Sequence, residues 1–370
     1  MNKLFTAGIL AGALIGMVSA VQSKKPRRKL SQIRRDWSFQ RAYDKASRTE
    51  RIPVQPGDRY IIFSDHHKGI RDGADDFLPC ETTYLGALDH YHAEGYRLII
   101  LGDAEELWEE DIPDVINAYT NVLKSEARFF PERYLKVIGN HDNLWASPQN
   151  VQKYLHPFFP GLEIKNSLIL EFSRANGAKL GEALLAHGHQ GTIDSDILDF
   201  IGPMVLPVYK ILQNLTGGGR TTPANDDCLR SRQDTQMYRW AREKHKLFLI
   251  AGHTHRPVWS SFTHLERLLW QLQNLLDLPP AQQPEDYEAQ IQAMIEQIEY
   301  REKEAPPCDD TIKTRPSYFN GGCCRFADGD ITGIEIQDAF IRLIKWKNQG
   351  GQSIRSVLQE SRLEAIFAAL

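Results

Sequence analysis

The chain has 370 residues, 42% of them hydrophobic and 10% aromatic, which excludes a disordered polymer and supplies enough apolar side chain for one large domain or two modest ones. The net charge of -4 hides an asymmetry: seven Lys or Arg residues crowd the stretch from Lys24 to Arg35, so a basic arm precedes a neutral-to-acidic body. Five cysteines, an odd number without CxxC spacing, exclude a zinc ribbon or a CxxC redox motif and are read as reduced thiols facing the cytosol.

From Leu4 to Val21 the chain carries no charge, a length at the lower limit for a helix across a bilayer. The bases that follow resist translocation, so residues 1–22 are expected to be an uncleaved anchor in a bacterial inner membrane, with the body in the cytoplasm. Val18-Ser19-Ala20 keeps a cleaved signal peptide and a periplasmic body open as the alternative. Gly8, Gly12 and Gly16 recur every fourth residue, a smooth strip on which a second helix can pack, though small residues are also common in such segments. The basic arm, residues 23–56, suits an anionic membrane surface, where each basic residue contributes roughly 1 kcal/mol.

The body, residues 57–346, alternates apolar runs with helical patterns. Tyr60 to Phe63, Leu98 to Leu101, Tyr134 to Ile138 and Leu247 to Ala251 read as buried strands, each followed closely by Gly, Asp or Asn. Helical patterns around Tyr84 to His92 and Val115 to Phe129 fall between the first three, giving a β-α-β-α-β rhythm. Leu168 to Phe172 and Ala183 to Ala186, joined through Asn176-Gly177, predict a hairpin that starts a second sheet. The expected fold class is therefore α/β, a layered sandwich of two mixed sheets flanked by helices. Insertions at about 190–246 and 263–304 interrupt it. The first is unusually apolar from Ile193 to Leu215, with Gly217 to Gly219 beyond; the second predicts a helical hairpin turning at Pro279-Pro280. Strands through Ile331 to Ile336 and Phe340 to Trp346 follow, and residues 347–370 are expected to form a peripheral tail helix.

A ligand-like cluster stands after strand after strand: Asp65-His66-His67, Gly102-Asp103, Gly139-Asn140-His141-Asp142, His187-Gly188-His189 and Gly252-His253-Thr254-His255. In open α/β sheets such positions converge, because loops from different strands meet beyond the carboxyl ends. Carboxylates, imidazoles and an amide without thiolate suit Mn²⁺, Fe²⁺ or Zn²⁺, and two ions a few Å apart are most simply joined by one carboxylate, for which Asp103 is the natural residue. Glycines before Asp103, Asn140 and His253 allow tight turns that aim the donors inward.

This ordered set resembles the calcineurin-like metallophosphoesterase superfamily, whose pattern is DxH, GDxx(D/E), GNH(D/E), a single His and GHxH. The resemblance spans Asp65 to His255. It implies that Asp65, His67 and His255 bind one divalent ion, that Asn140, His187 and His253 bind another, and that Asp103 joins them, with His189 less suited than His187. Mn²⁺ is the expected ion, Fe²⁺ and Zn²⁺ the alternatives. Two such ions would lower the pKa of a shared water and neutralise phosphoryl charge, while His141 would protonate the leaving oxygen or stabilise its charge and Asp142 would either orient that imidazole or serve as a helix N-cap or turn residue. Gly102 to Trp108 is similar to the GDxFExW segment of UDP-2,3-diacylglucosamine hydrolases, with Trp108 kept. Glu105 stands where those enzymes carry an aromatic, and His141 where they carry Arg.

His66, Lys68, Arg71 and Arg256 lie beside the ligand loops as weaker candidates for holding substrate, with packing or solvated charge as the alternative. Cys323 and Cys324 are expected to be buried strand residues. The resulting expectation is a phosphodiesterase or diphosphatase acting on a lipid-linked or nucleotide-diphosphate substrate such as UDP-2,3-diacylglucosamine. A phosphoprotein phosphatase or nuclease of the same superfamily is the alternative, and an inactive interaction module a distant one. Positive charge gathered in the arm argues against nucleic acid as a partner.

Overall fold

The structure of the protein, a computed structural model, describes residues 24–174, 176–190, 227–276, 284, 286–304 and 315–370. The expected anchor and the apolar stretch from Ile193 to Leu215 lie outside the described residues, and no described helix is long and apolar enough to cross a membrane.

In chain order the strands are β1 (Arg51–Val54), β2 (Tyr60–Phe63), β3 (Arg97–Leu101), β4 (Tyr134–Val137), β5 (Leu168–Ser173), β6 (Lys179–Leu185), β7 (Leu247–Ala251), β8 (Val258–Trp259), β9 (Phe262–Thr263), β10 (Tyr318–Asn320), β11 (Ile331–Gln337), β12 (Phe340–Gln349) and β13 (Gln352–Arg362). The longer helices are α1 (Lys24–Thr49), α2 (Glu81–Ala93), α3 (Ile112–Ala118), α4 (Thr120–Ala127), α5 (Asp227–Arg242), α6 (His264–Leu276), α7 (Tyr287–Glu304) and α8 (Leu363–Ala369). The strands form a seven-stranded sheet ordered β1-β5-β6-β7-β10-β8-β9 and a six-stranded sheet ordered β13-β12-β11-β2-β3-β4. Both are mixed: β2, β3 and β4 run parallel, as do β6, β7 and β10, while β5–β6 and β11–β12–β13 are antiparallel. This is the expected α/β arrangement of two mixed sheets flanked by helices.

Strand alternation builds three layers of core. Tyr60, Ile62, Ile99 and Leu101 of the six-stranded sheet meet Leu170, Leu185, Phe248 and Ile250 of the other, filling the space between the sheets. Their neighbours Ile61, Phe63, Leu98 and Ile100 point the opposite way, onto Tyr84, Leu88 and Tyr91 of α2. On the far side Ile169, Leu184 and Leu249 carry Phe39 and Ala46 of α1 and Met237, Tyr238 and Trp240 of α5. Strands buried on both faces read as continuous apolar runs, and each of these larger side chains contributes roughly 1.5–3 kcal/mol through burial.

Three expectations need correction. The basic arm is not an appendage throughout: α1 buries Phe39 and Ala46 against the seven-stranded sheet, and β1 then pairs in parallel with β5. The helical pattern from Val115 to Phe129 is split into α3 and α4 where Tyr119 leaves helical geometry and donates its hydroxyl to Asp75 at 2.7 Å. The tail is a strand before it is a helix. β12 runs on to Gln349, turns through Gly350 and Gly351, both at positive φ, and returns as β13, leaving only Leu363–Ala369 helical. In Ser353-Ile354-Arg355-Ser356-Val357 the two apolar residues stand three apart and are exposed, so the run lacks the alternation that marks a strand. The helical hairpin is present as α6 packed on α7.

Candidate metal centre

The ligand loops extend two of the parallel strands. Beyond β2 and β3 the ladder continues through Asp65 N–H to Gly102 O at 3.1 Å, His67 N–H to Asp103 O at 3.0 Å and Lys68 N–H to Ala104 O at 3.1 Å. The loop after β4 joins them, because Leu107 N–H donates to His141 O at 3.0 Å. From the other sheet, Gly252 N–H donates to His187 O at 2.9 Å, tying the loops after β6 and β7 together.

Sequence reading gave the unusual backbone to the glycines, and the structure gives most of it to the ligands themselves. Asp65, His67, Asp103, His253 and His255 all adopt left-handed conformations, with φ between 50° and 68°. A non-glycine residue there is strained, at a cost of about 1–3 kcal/mol, and five together mark a site that the surrounding fold holds against its local preference. Gly102 does take a positive φ of 82°, but Gly139 and Gly252 serve by their size. A Cβ on Gly139 would come within 2.1 Å of Asp103 Oδ1, and one on Gly252 within 2.3 Å of Asp65 Oδ2.

These loops bring all seven expected donors to the carboxyl ends of the strands. Asp65, His67 and His255 form one close group and Asp103, His187 and His253 another, the donor atoms of each lying within 4.8 Å of one another. His255 Nε2 is 3.1 Å from Asp65 Oδ1 and 3.2 Å from His67 Nε2. His187 Nε2 is 2.9 Å from Asp103 Oδ2, while its Nδ1 donates to Leu101 O at 2.8 Å, which turns Nε2 toward the centre. Asn140 Oδ1 and His253 Nε2 are buried without a hydrogen-bond partner. A buried acceptor left without a partner is costly, and a cation is the partner that would satisfy both. The donor set, with no thiolate, fits divalent ions of the Mn²⁺, Fe²⁺ and Zn²⁺ type.

The electrostatics also call for positive charge. Burial alone would raise the Asp65 and Asp103 carboxyls, but His255 and His187 beside the first, and His187 and His141 beside the second, hold both well below the ordinary range. Burial works against a charge on His187, yet Asp103 and Asp65 overcome it and lift its pKa to about 10. Burial dominates at His255 and His253, which are kept neutral, the form that binds metal.

His141 stands at the rim, with 15% of its side chain exposed. It completes a third close group with His67 and Asp103, but its Nδ1 is 2.8 Å from the Glu106 carboxylate and its ring stacks on Trp108 at 4.1 Å between centroids. Glu106 reaches His67 Nδ1 as well, at 2.9 Å, so one carboxylate orients both imidazoles. That was the role considered for Asp142, and the structure corrects it. The Asp142 carboxylate is fully buried and accepts from Ala104 N–H at 2.9 Å and Gly139 N–H at 2.6 Å, closing the turn beneath the site. The missed signal was the final acid of the GDxx(D/E) pattern, which is Glu106.

The four weaker substrate candidates are committed elsewhere. Lys68 is fully buried, 3.1 Å from both Glu105 and Glu126, and Lys136 lies 2.7 Å from Glu105, to which Trp145 also donates at 2.8 Å. The carboxylate that replaces an aromatic at position 105 therefore belongs to a buried ion cluster under the loops. His66 packs between Phe77 and Tyr84. Arg71 donates to Ala118 O, pairs with Glu81 and lies over the Tyr119 ring; Arg256 pairs with Asp234 at 2.8 Å. Cys323 and Cys324 are buried as expected, but in the loop after β10 rather than in a strand, with burial pushing both thiols up, away from nucleophile character.

No family model matches the chain, and no curated protein matches it. Among solved structures the chain is similar to Vacuolar Protein Sorting 29 from Cryptosporidium parvum, at 11% identity and a TM-score of 0.35, over 83% of this chain and 100% of that one. It is also similar to a single mutant of Vps29 from Entamoeba histolytica, at 11% identity and a TM-score of 0.32, over 81% of this chain and 99% of that one. At such TM-scores neither likeness carries an argument about what the centre does.

Proposed function

We propose that the chain is a metal-dependent phosphoester hydrolase. The observation that carries this is the gathering of six of the expected donors into two close groups, Asp65, His67 and His255 and Asp103, His187 and His253, five of the six held in left-handed backbone, with Asn140 Oδ1 and His253 Nε2 buried without a hydrogen-bond partner. Asp65, His67 and His255 would hold one divalent ion, Asn140, His187 and His253 a second, and Asp103 would lie between them. Such a pair of ions supplies a nucleophile from water at neutral pH and neutralises charge on the phosphoryl oxygens. The chain's own contribution is to fix the donors, to bury them, and to present His141 at the rim, where it can hand a proton to the leaving oxygen. Glu106 keeps that imidazole aimed, and Trp108 backs it with a flat apolar face.

Within this class we favour a lipid-linked or nucleotide diphosphate, of which UDP-2,3-diacylglucosamine is one example. The support is Trp108 beside His141, a surface suited to a base or acyl group, together with the apolar sequence from Ile193 to Leu215. Metal-reconstituted protein assayed on nucleotide-sugar diphosphates, phosphodiesters, phosphomonoesters and phosphopeptides should turn over the diphosphates fastest. Within one head group, the acylated form should lead the deacylated form by orders of magnitude in kcat/KM, since each buried methylene contributes roughly 0.8 kcal/mol. Equal kcat/KM for the two would remove the lipid, and phosphopeptide preference would remove the diphosphate.

The same reading locates the body on the cytoplasmic face of a bacterial inner membrane, held by Leu4 to Val21 and the basic arm. The protein should stay in the membrane pellet through a high-salt wash and leave it only with detergent. A chain from intact cells that begins near Val21, or that high salt releases, would refute the anchor.

A further inference from the structure

The loop that supplies His253 and His255 is held from a direction that none of the ligand motifs indicates. Asp234, fully buried on α5, accepts hydrogen bonds from Thr254 Oγ1 at 3.0 Å, from Tyr318 Oη at 2.8 Å and from an Arg256 guanidinium nitrogen at 2.8 Å. Thr254 is the residue between the two ligands and Arg256 the residue after them, so this one carboxylate grips the ligand loop at two points. Asn320 closes the other side, its Nδ2 donating to Gly252 O at 2.6 Å and lying 3.1 Å from Thr254 Oγ1. Three residues further along α5, Met237 packs beside the other ligand loop of this sheet: its Sδ lies 3.2 Å from where a Cβ on Gly188 would stand.

The need for such a grip follows from the backbone. His253 and His255 have φ of 68° and 55°, so the loop places two left-handed non-glycine residues with only Thr254 between them. Each is locally disfavoured, and the conformation persists only where tertiary contacts outweigh it. His253 N–H is held by Asp65, at 2.9 Å and 3.0 Å to its two oxygens. Among the described residues the Thr254 hydroxyl meets Asp234 and Asn320, neither of them a ligand.

We propose that Asp234 is a positioning residue for the metal centre: by gathering Thr254, Arg256 and Tyr318 it keeps His253 and His255 in the strained conformation that aims both imidazoles at Asp103 and Asp65. The inference rests on the reading of the site as a metal centre. It adds α5, an element outside every ligand motif, to the machinery that sets metal affinity. Groups that orient metal ligands from behind typically change metal affinity about 10- to 100-fold when removed.

Titration of the metal-free full chain with Mn²⁺, followed by calorimetry, tests this in Asp234→Ala, Asp234→Asn and Thr254→Val. Asp234→Ala should bind Mn²⁺ about 10- to 100-fold more weakly, and Thr254→Val more weakly in the same direction. Asp234→Asn, which retains an acceptor for the two hydroxyls, should recover most of the loss. Glu335→Gln supplies the comparison for stability alone, because Glu335 is a fully buried carboxylate gripped by Tyr91 and Arg355 in the six-stranded sheet. It should lower thermal stability without changing Mn²⁺ affinity. Amide exchange over residues 252–256 of the metal-free chain separates this proposal from the metal reading. Faster exchange there in Asp234→Ala supports the clamp even in a chain that binds no Mn²⁺. Wild-type exchange in that loop, or Mn²⁺ affinity in Asp234→Ala no weaker than in Glu335→Gln, overturns it.

Discussion

Asp103→Ala should reduce phosphoester hydrolysis to background and leave roughly one bound ion or fewer per chain, because the residue between two ions serves both. The structure gives this substitution a second effect. Asp103 is 1% exposed, and its oxygens meet His187 Nε2 at 2.9 Å and accept from His141 N–H at 2.8 Å, so one truncation frees two of the five ligand loops. Metal content by elemental analysis and turnover on a common phosphodiester should fall together. Full occupancy by two ions with normal turnover would refute the assignment of the centre.

His141→Ala should behave differently, slowing turnover about 10²- to 10⁴-fold while leaving metal content intact, since a general acid contributes on that scale without holding an ion. The dependence on leaving group gives the sharper readout. A substrate that expels an alkoxide needs the proton and should suffer the whole loss. One that expels a stabilised phenolate needs little help and should lose far less. Glu106→Gln should combine both signatures, because Glu106 reaches a metal ligand at 2.9 Å and His141 at 2.8 Å. An equal loss on both leaving groups for His141→Ala would sink the proton-donor role and leave His141 as a third-group ligand with His67 and Asp103.

How much of this was legible in the sequence depends on the reach of each contact. The ligand loops were readable because strand, turn and donor lie within a few residues of one another, and because convergence at strand ends follows from the topology rather than from any pairwise contact. β2, β3, β4 and β7 were readable for the same local reason: short, mostly apolar runs, interrupted only by Arg97 and Lys136, bounded by turn formers. What failed was every assignment that depended on a distant partner. Lys68 looks like a phosphate-binding lysine until Glu126, at 3.1 Å, is seen beneath it. Arg71 and Arg256 look free until Glu81 and Asp234 are in place. Asp142 is adjacent to His141 in the chain, yet its carboxylate turns toward the backbone of the neighbouring turn while Glu106, from another loop, takes the imidazole. The strand through Ser353 to Val357 was overlooked because Ile354 and Val357 stand three apart, a helical spacing, and lie exposed on an edge strand where burial imposes no alternation.

The origin of the donors on two different sheets also bears on how the molecule assembles. Asp65, His67, Asp103 and Asn140 follow strands of the six-stranded sheet, whereas His187, His253 and His255 follow strands of the seven-stranded one. Neither sheet alone supplies all of the Asp65, His67 and His255 group or all of the Asp103, His187 and His253 group. The centre can come into existence only when the two inner faces have docked and the Tyr60, Ile62, Phe248 and Ile250 layer has closed between them. An ion held there would be linked to the docked state, and would act as a fastener across the seam of the sandwich. The contacts that close the seam join residues nearly two hundred positions apart, as His67 does to His255, and non-local contacts of that kind are expected to form slowly.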